Sequence, residues 1–167
     1  MLTAERLMAL LNLEPLAGEG GFFRRTYTGP ELQEAAGLAA GRGRAISGAI
    51  YYLLFDEHVS ALHRLRTDEV YHFYLGDPVE MLLLYPNGAS QVVILGTDLE
   101  AGQQVQFVAP AEVWQGSRLR PGGRLALMGT TMAPAFTPED FELGSRAPLL
   151  VRYPDQAARI RVLTPGQ

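Results

Sequence analysis

The chain has 167 residues, a net charge of −4 and no cysteine. Disulfides, thiolate metal sites and cysteine nucleophiles are thereby excluded. The acidic balance, with a pI of about 5.4, argues against a nucleic-acid backbone as the main partner, which needs a basic face.

A hydrophobic fraction of 47% predicts a folded chain rather than disorder, and the length suits one domain. The start carries no basic, apolar leader, and no apolar run approaches the ~20 residues that span a bilayer. A cytoplasmic protein is expected. Residues 3–12 predict a helix: Thr3 caps it, Glu5 sits in its first turn, Leu7, Leu10 and Leu11 form an apolar stripe, and Pro15 closes it. After the Gly18-Glu19-Gly20-Gly21 turn, Phe22–Tyr27 reads as a strand whose Arg24 and Arg25 either stand solvated on a sheet edge or reach into a pocket to hold an anion. Residues 29–44 are rich in Gly and Ala and read as a loop, with one helical turn at Glu31–Ala36; Arg42 and Arg44 there read as solvated.

From Ala45 the pattern changes. Strands are predicted at Ile46–Leu54, Ala61–Leu65, Glu69–Leu75, Val79–Tyr85, Gln91–Leu95, Val105–Val108, Val113–Leu119 and Arg124–Thr130, separated by Pro, Gly, Asn and Asp turns. Strands at this spacing with no helix between them mean an antiparallel all-β sandwich or barrel. Val79–Leu84 is apolar on both faces, so both are expected to be covered, with a partner subunit as one candidate cover. In the tail, Thr137-Pro138-Glu139-Asp140 signals a helix start and Pro154-Asp155 another, running to about Arg161; these pieces are expected to brace the sandwich. The organisation is thus one domain over 1–167: an N-terminal helix, strand and loop (1–44), a strand core (45–131) and a bracing segment (132–167).

Chemistry concentrates in Ser60–Gly76, a strand, a polar turn and a second strand. Side chains alternate along extended backbone, so His63 and Leu65 share one face. Glu69, Tyr71, Phe73 and Leu75 share another, and His72 points the opposite way. Further on, Val113 and Gln115 share a face while Trp114 takes the other, as core or subunit contact. If these faces look into one cavity, an imidazole and a carboxylate meet over an aromatic floor.

These residues carry a family resemblance. The first cupin motif runs glycine, His-x-His, a glutamate, then a glycine; here His63 matches the first histidine, Leu65 the second, Glu69 the glutamate and Gly76 the closing glycine. The second motif ends in a histidine, and Gln115 in Pro110-Ala111-Glu112-Val113-Trp114-Gln115 holds that place. The sequence most closely resembles the domain-of-unknown-function 985 branch of cupins (cupin type 5). That resemblance rests on Gly20-Gly21-Phe22-Phe23-Arg24, Ile50-Tyr51-Tyr52-Leu53-Leu54, His72-Phe73-Tyr74-Leu75-Gly76-Asp77-Pro78, Val113-Trp114-Gln115, Ala133-Pro134-Ala135-Phe136 and Asp140-Phe141-Glu142-Leu143. It implies a double-stranded β-helix (jelly roll) with short terminal helices, pairing as homodimers, one enclosed pocket, and a general fold like that of sugar-nucleotide epimerases. It implies no settled activity.

Cupin metal sites use imidazoles and a carboxylate. With Leu65 and Gln115 at two ligand positions, no cofactor is expected beyond weak metal binding through His63 and Glu69. A histidine oriented by a carboxylate is a general base, so His63 with Glu69, or with Asp68, is the candidate catalytic pair, and Tyr51, Tyr52 or Tyr71 the candidate acid; the alternative is that His63 and Glu69 form a satisfied buried hydrogen-bonded pair. Phe22, Arg24, Tyr51, Leu65, Tyr71, Phe73, Val113 and Gln115 are the candidate ligand-binding residues. Ser47, Ser60 and Ser117 lack a nucleophile-elbow setting, and Gly41-Arg42-Gly43-Arg44 lacks phosphate-loop spacing. The expected function is binding of a small polar organic ligand (a sugar, nucleotide sugar or keto acid) in the barrel. Metal-independent isomerisation or epimerisation is the candidate activity. A binding module without catalysis is the alternative, and a metal-dependent cupin enzyme a third reading. No nucleic-acid or membrane partner is expected.

Overall fold

The computed structural model describes residues 2–31 and 44–166. Helix α1 (Ala4–Leu11) opens on Thr3, whose side chain accepts from the Arg6 backbone N–H. It ends at Asn12, which adopts a left-handed φ of 51°. Pro15 does not close the helix: Glu14–Pro15 form a short strand, β1, paired with Phe22 and Phe23.

The remaining strands are β2 (Phe22–Thr28), β3 (Gly48–Phe55), β4 (Val59–Arg64), β5 (Glu69–Gly76), β6 (Val79–Leu84), β7 (Ser90–Leu95), β8 (Gln106–Ala109), β9 (Trp114–Leu119), β10 (Leu125–Met132) and β11 (Glu142–Leu143). They form two antiparallel sheets, ordered β1-β2-β3-β10-β5-β8 and β11-β4-β9-β6-β7. From β3 to β6 consecutive strands alternate between sheets, β3 and β5 in one, β4 and β6 in the other. The main core lies between them, built from Tyr52, Leu54, Tyr71, Phe73, Met81, Leu83, Val113 and Met128. Gly76 closes β5 with φ of +107°, and a Cβ there would meet the Leu125 carbonyl oxygen at 2.3 Å. Only glycine fits that corner.

Both sheets also carry apolar residues on their outer faces. On the larger sheet, Ala4 and Leu7 of α1 cover Leu53 and Leu127. On the smaller sheet, Leu62, Leu82 and Leu84 pack against Leu149, Tyr153, Ile160 and Leu163. These come from the tail, which holds α2 (Arg146–Arg152) and α3 (Ala157–Val162). The second apolar face of Val79–Leu84 is therefore covered by this chain's own tail, which removes the need for a partner subunit there. The Thr137-Pro138 signal starts a single 3₁₀ turn, Pro138–Asp140, and α2 was not expected at all.

The expected helical turn at 31–36 and Arg42 fall outside the described residues, except that Glu31 bridges Ala45. Arg44 is not simply solvated. It ion-pairs with Asp140 at 2.6 Å and donates to the Ala135 carbonyl at 2.8 Å. That clamp holds the 135–140 segment against the mouth of the sandwich.

Candidate active site in the barrel

A cavity of about 150 Å³ opens between the sheets. Its apolar walls include Leu16, Phe23, Ile50, Leu65, Met132 and Phe136. Its polar groups are Glu19, Glu69 and Thr130, with Arg25 at the edge. Glu69 enters because β5 alternates: Glu69, Tyr71 and Phe73 are buried inward. His72 takes the outer face, where its Nε2 meets Thr131 Oγ1 at 3.1 Å. Glu19 enters because its turn is pinned to β4. The Glu19 carbonyl accepts from the Ala61 N–H at 2.8 Å, and its carboxylate accepts from Ser60 Oγ at 2.7 Å. A Cβ on Gly20 would meet the Val59 carbonyl oxygen at 2.4 Å, so the glycine permits that close approach.

His63 and Glu69 do not touch each other in a hydrogen bond; Gln115 stands between them. Its Nε2 lies 2.8 Å from Glu69 Oε2 and 3.3 Å from His63 Nε2. His63 Nδ1 lies 2.8 Å from the Ala61 carbonyl oxygen, which can only accept, so Nδ1 carries a proton. In the neutral ring Nε2 is then an acceptor, and the Gln115 amide donates to it and to Glu69 together. Phe141 stacks on the imidazole at 5.2 Å between ring centres. His63 is 1% exposed and lies one layer behind the cavity wall.

Burial, and secondarily the charge of Glu19, raise the pKa of Glu69; the nearby His63 opposes this. The Tyr71 phenol is pushed well above its ordinary value by burial and then by Glu69. Tyr52 is pushed the same way by burial and then by Glu19. Both phenols stay neutral across the physiological range; Tyr52 donates a hydrogen bond to the Gly20 carbonyl at 2.9 Å.

Of the residues singled out in the sequence, Leu65 and Glu69 line the cavity. His63 and Gln115 stand behind it, and Tyr71, Phe73 and Val113 are inward core residues beside it. Phe22, Arg24 and Tyr51 do not line it, a correction with a simple cause: β2 and β3 run in the opposite phase from the one assumed. Phe22 packs outside the larger sheet on Phe55 and His58. Arg24 lies over the Tyr51 ring at 5.5 Å, and Tyr51 meets Tyr74 edge-on. Their neighbours Phe23, Arg25 and Ile50 take the inward positions. Trp114 is on the outer face of β9, under the Arg64 guanidinium at 4.9 Å. Sequence reasoning missed Glu19, although an acid enclosed by three glycines in a tight turn was the signal for it.

The family described as Cupin superfamily (DUF985) matches residues 5–144. The chain belongs to that family. Among solved structures, this cupin is similar to protein SO0799 from Shewanella oneidensis, at 34% identity, a TM-score of 0.87 and full coverage of both chains. It is also similar to a hypothetical protein from Leishmania major, at 26% identity and a TM-score of 0.84, over 98% of this chain and 99% of that one. An uncharacterised Saccharomyces cerevisiae protein, YML079W, is 27% identical over 133 residues. That match takes in 73% of this chain and 66% of the yeast protein's length. The two antiparallel sheets with short terminal helices are the jelly roll of the cupins.

The residues present do not fit a cupin metal centre. Leu65 offers no donor atom, and Gln115 has turned its N–H groups, not a lone pair, toward Glu69 and His63. Among the described residues no three His, Asp or Glu side chains converge closely enough to hold an ion. Among the same residues no helix is long and apolar enough to cross a membrane.

Proposed function

We propose that this cupin binds a small polar organic molecule in the barrel cavity and that Glu69 exchanges a proton with it, in a metal-independent isomerisation or epimerisation. The observation that carries this is the position of Glu69: a buried carboxyl on an otherwise largely apolar wall, 7% exposed, with its pKa raised above the ordinary carboxylate value by burial. A base with that property can take a proton from a carbon next to a carbonyl and return it to the same or the neighbouring atom. Gln115 and His63 act as positioning residues: His63 fixes the amide, and the amide fixes the carboxylate. The role of base passes from His63 to Glu69, because Glu69 faces the cavity and the His63 lone pair is occupied. A cavity of about 150 Å³ encloses a body about as large as benzene, so a nucleotide would have to stay outside the mouth. In a homodimer each copy would keep a complete site, since one chain supplies every lining residue described.

The test is hydrogen exchange. Candidate ligands found by thermal shift are incubated with the protein in D₂O and examined by mass spectrometry. Proton abstraction adds one mass unit to recovered ligand even without net conversion. Glu69→Gln should slow exchange at least about 100-fold while still folding cooperatively; full exchange by that variant sinks the assignment. The occupied His63 lone pair favours a second reading, a binding module. It predicts ligands that stabilise the protein and never exchange.

A further inference from the structure

Glu19 and Glu69 face one cavity from different elements, the 18–21 turn and the start of β5. Each carboxylate is held by a neutral donor, Ser60 Oγ for Glu19 and Gln115 Nε2 for Glu69. Among the described residues no arginine is ion-paired with either; the ion pairs use Glu80, Glu112, Asp140 and Glu142. Arg25 also borders the cavity, but it is exposed, and water screens its charge. The two acids sit against apolar walls, where charges act more strongly. Glu69 is buried and Glu19 half-buried, and a carboxylate withdrawn from water without a cation is costly. A ligand carboxylate, as in a keto acid, would add a third negative charge; a cation would relieve the first two.

Resting on the reading of this cavity as a small-molecule site, we infer that its ligand is an organic cation: a protonated amine on an apolar body about the size of one six-membered ring, with the ammonium against Glu19 and Glu69. The amine donates to both carboxylates while the ring fills the space between Phe23, Ile50, Leu65 and Met132. Charge-assisted hydrogen bonds are the strong kind, so the carboxylates set the affinity and the apolar walls set the size. The other titratable neighbours offset them only in part. Tyr52 and Tyr71 stay neutral, and His63, behind Gln115, opposes the effect of burial on Glu69 alone.

The experiment uses three probes of one shape: cyclohexylammonium, cyclohexanol and cyclohexanecarboxylate, titrated by calorimetry near pH 8 and near pH 5. The amine should bind at least about tenfold tighter than the alcohol at the higher pH, and the carboxylate should not bind. Amine affinity should be lower at the lower pH, as Glu69 takes up its proton. Glu19→Gln and Glu69→Gln should each weaken the amine about tenfold and leave the alcohol within about threefold. Should either variant fail to fold, the order of amine, alcohol and carboxylate on the unaltered protein carries the test. Equal binding of amine and alcohol, or preference for the carboxylate, overturns the cation while the cavity remains a binding site. If none of the three binds, cation and cavity reading fall together.

Discussion

Gln115 donates an amide N–H to Glu69 Oε2 at 2.8 Å, from the place where the cupin motif carries a histidine. An amide there serves the carboxylate as a fixed donor. Gln115→Leu should therefore cost about 1–3 kcal/mol, because it leaves a buried carboxyl and a buried imidazole each short of a partner. Urea unfolding measures this. A variant within about 0.5 kcal/mol of the parent would mean that the amide contacts contribute nothing.

The same position offers a gain of function. Leu65→His together with Gln115→His would place three imidazoles and Glu69 at the motif positions. The double variant should retain about one Zn²⁺, Ni²⁺ or Mn²⁺ per chain after dialysis, where the parent retains little. Elemental analysis decides it; a double variant as metal-free as the parent would show that the backbone no longer brings those positions together.

Stability should depend on pH through Glu69. Its native pKa is raised above the ordinary 4.5, by burial and then by Glu19. Between the ordinary and the raised value the native chain binds more protons than the unfolded chain, so stability falls as pH rises through that window and is level above it. Glu80 has the opposite sign. Burial alone would raise it, but hydrogen bonds and charges from Arg159 and Arg118 together bring it below 4.5. Its contribution is present above 4.5 and is lost as pH falls through its native value. Melting curves of the parent and Glu69→Gln from about pH 4.5 to about pH 8 isolate the Glu69 slope. The difference should grow in favour of the variant as pH rises, and a constant difference contradicts the raised pKa.

The legible parts of the chain were those with a clear period. Glu69, Tyr71 and Phe73 alternate with Val70, His72 and Tyr74, so their common inward face could be read directly, as could the opposite placement of His72 and Trp114. The phase of β2 and β3 could not. Phe22-Phe23 and Arg24-Arg25 are doublets, and Ile50-Tyr51-Tyr52 is apolar or aromatic throughout, so either face fits the core. What settles the phase is pairing at long range: Phe22 opposite Leu53, Phe23 opposite Tyr52 and Arg24 opposite Tyr51. Helix α2 was hidden by its shortness and by Pro148 within its first turn. The role of Gln115 could not be foreseen from motif position, because it depends on the Ala61 carbonyl fixing the His63 tautomer.

The tail cover can be tested at Ile160, which is fully buried against the outer face of the smaller sheet. Ile160→Ala should cost about 2–5 kcal/mol. Chemical denaturation gives the value, and a loss under about 1 kcal/mol would mean that α3 is not seated there.

Leu82 and Leu84 leave the ribosome well before Leu149 and Ile160, the residues that cover them. Until the last stretch emerges, the growing chain shows a greasy strand with no local shelter. Premature stops in the tail should thus yield product that clumps during expression, a fate set by translation order and independent of the barrel's chemistry.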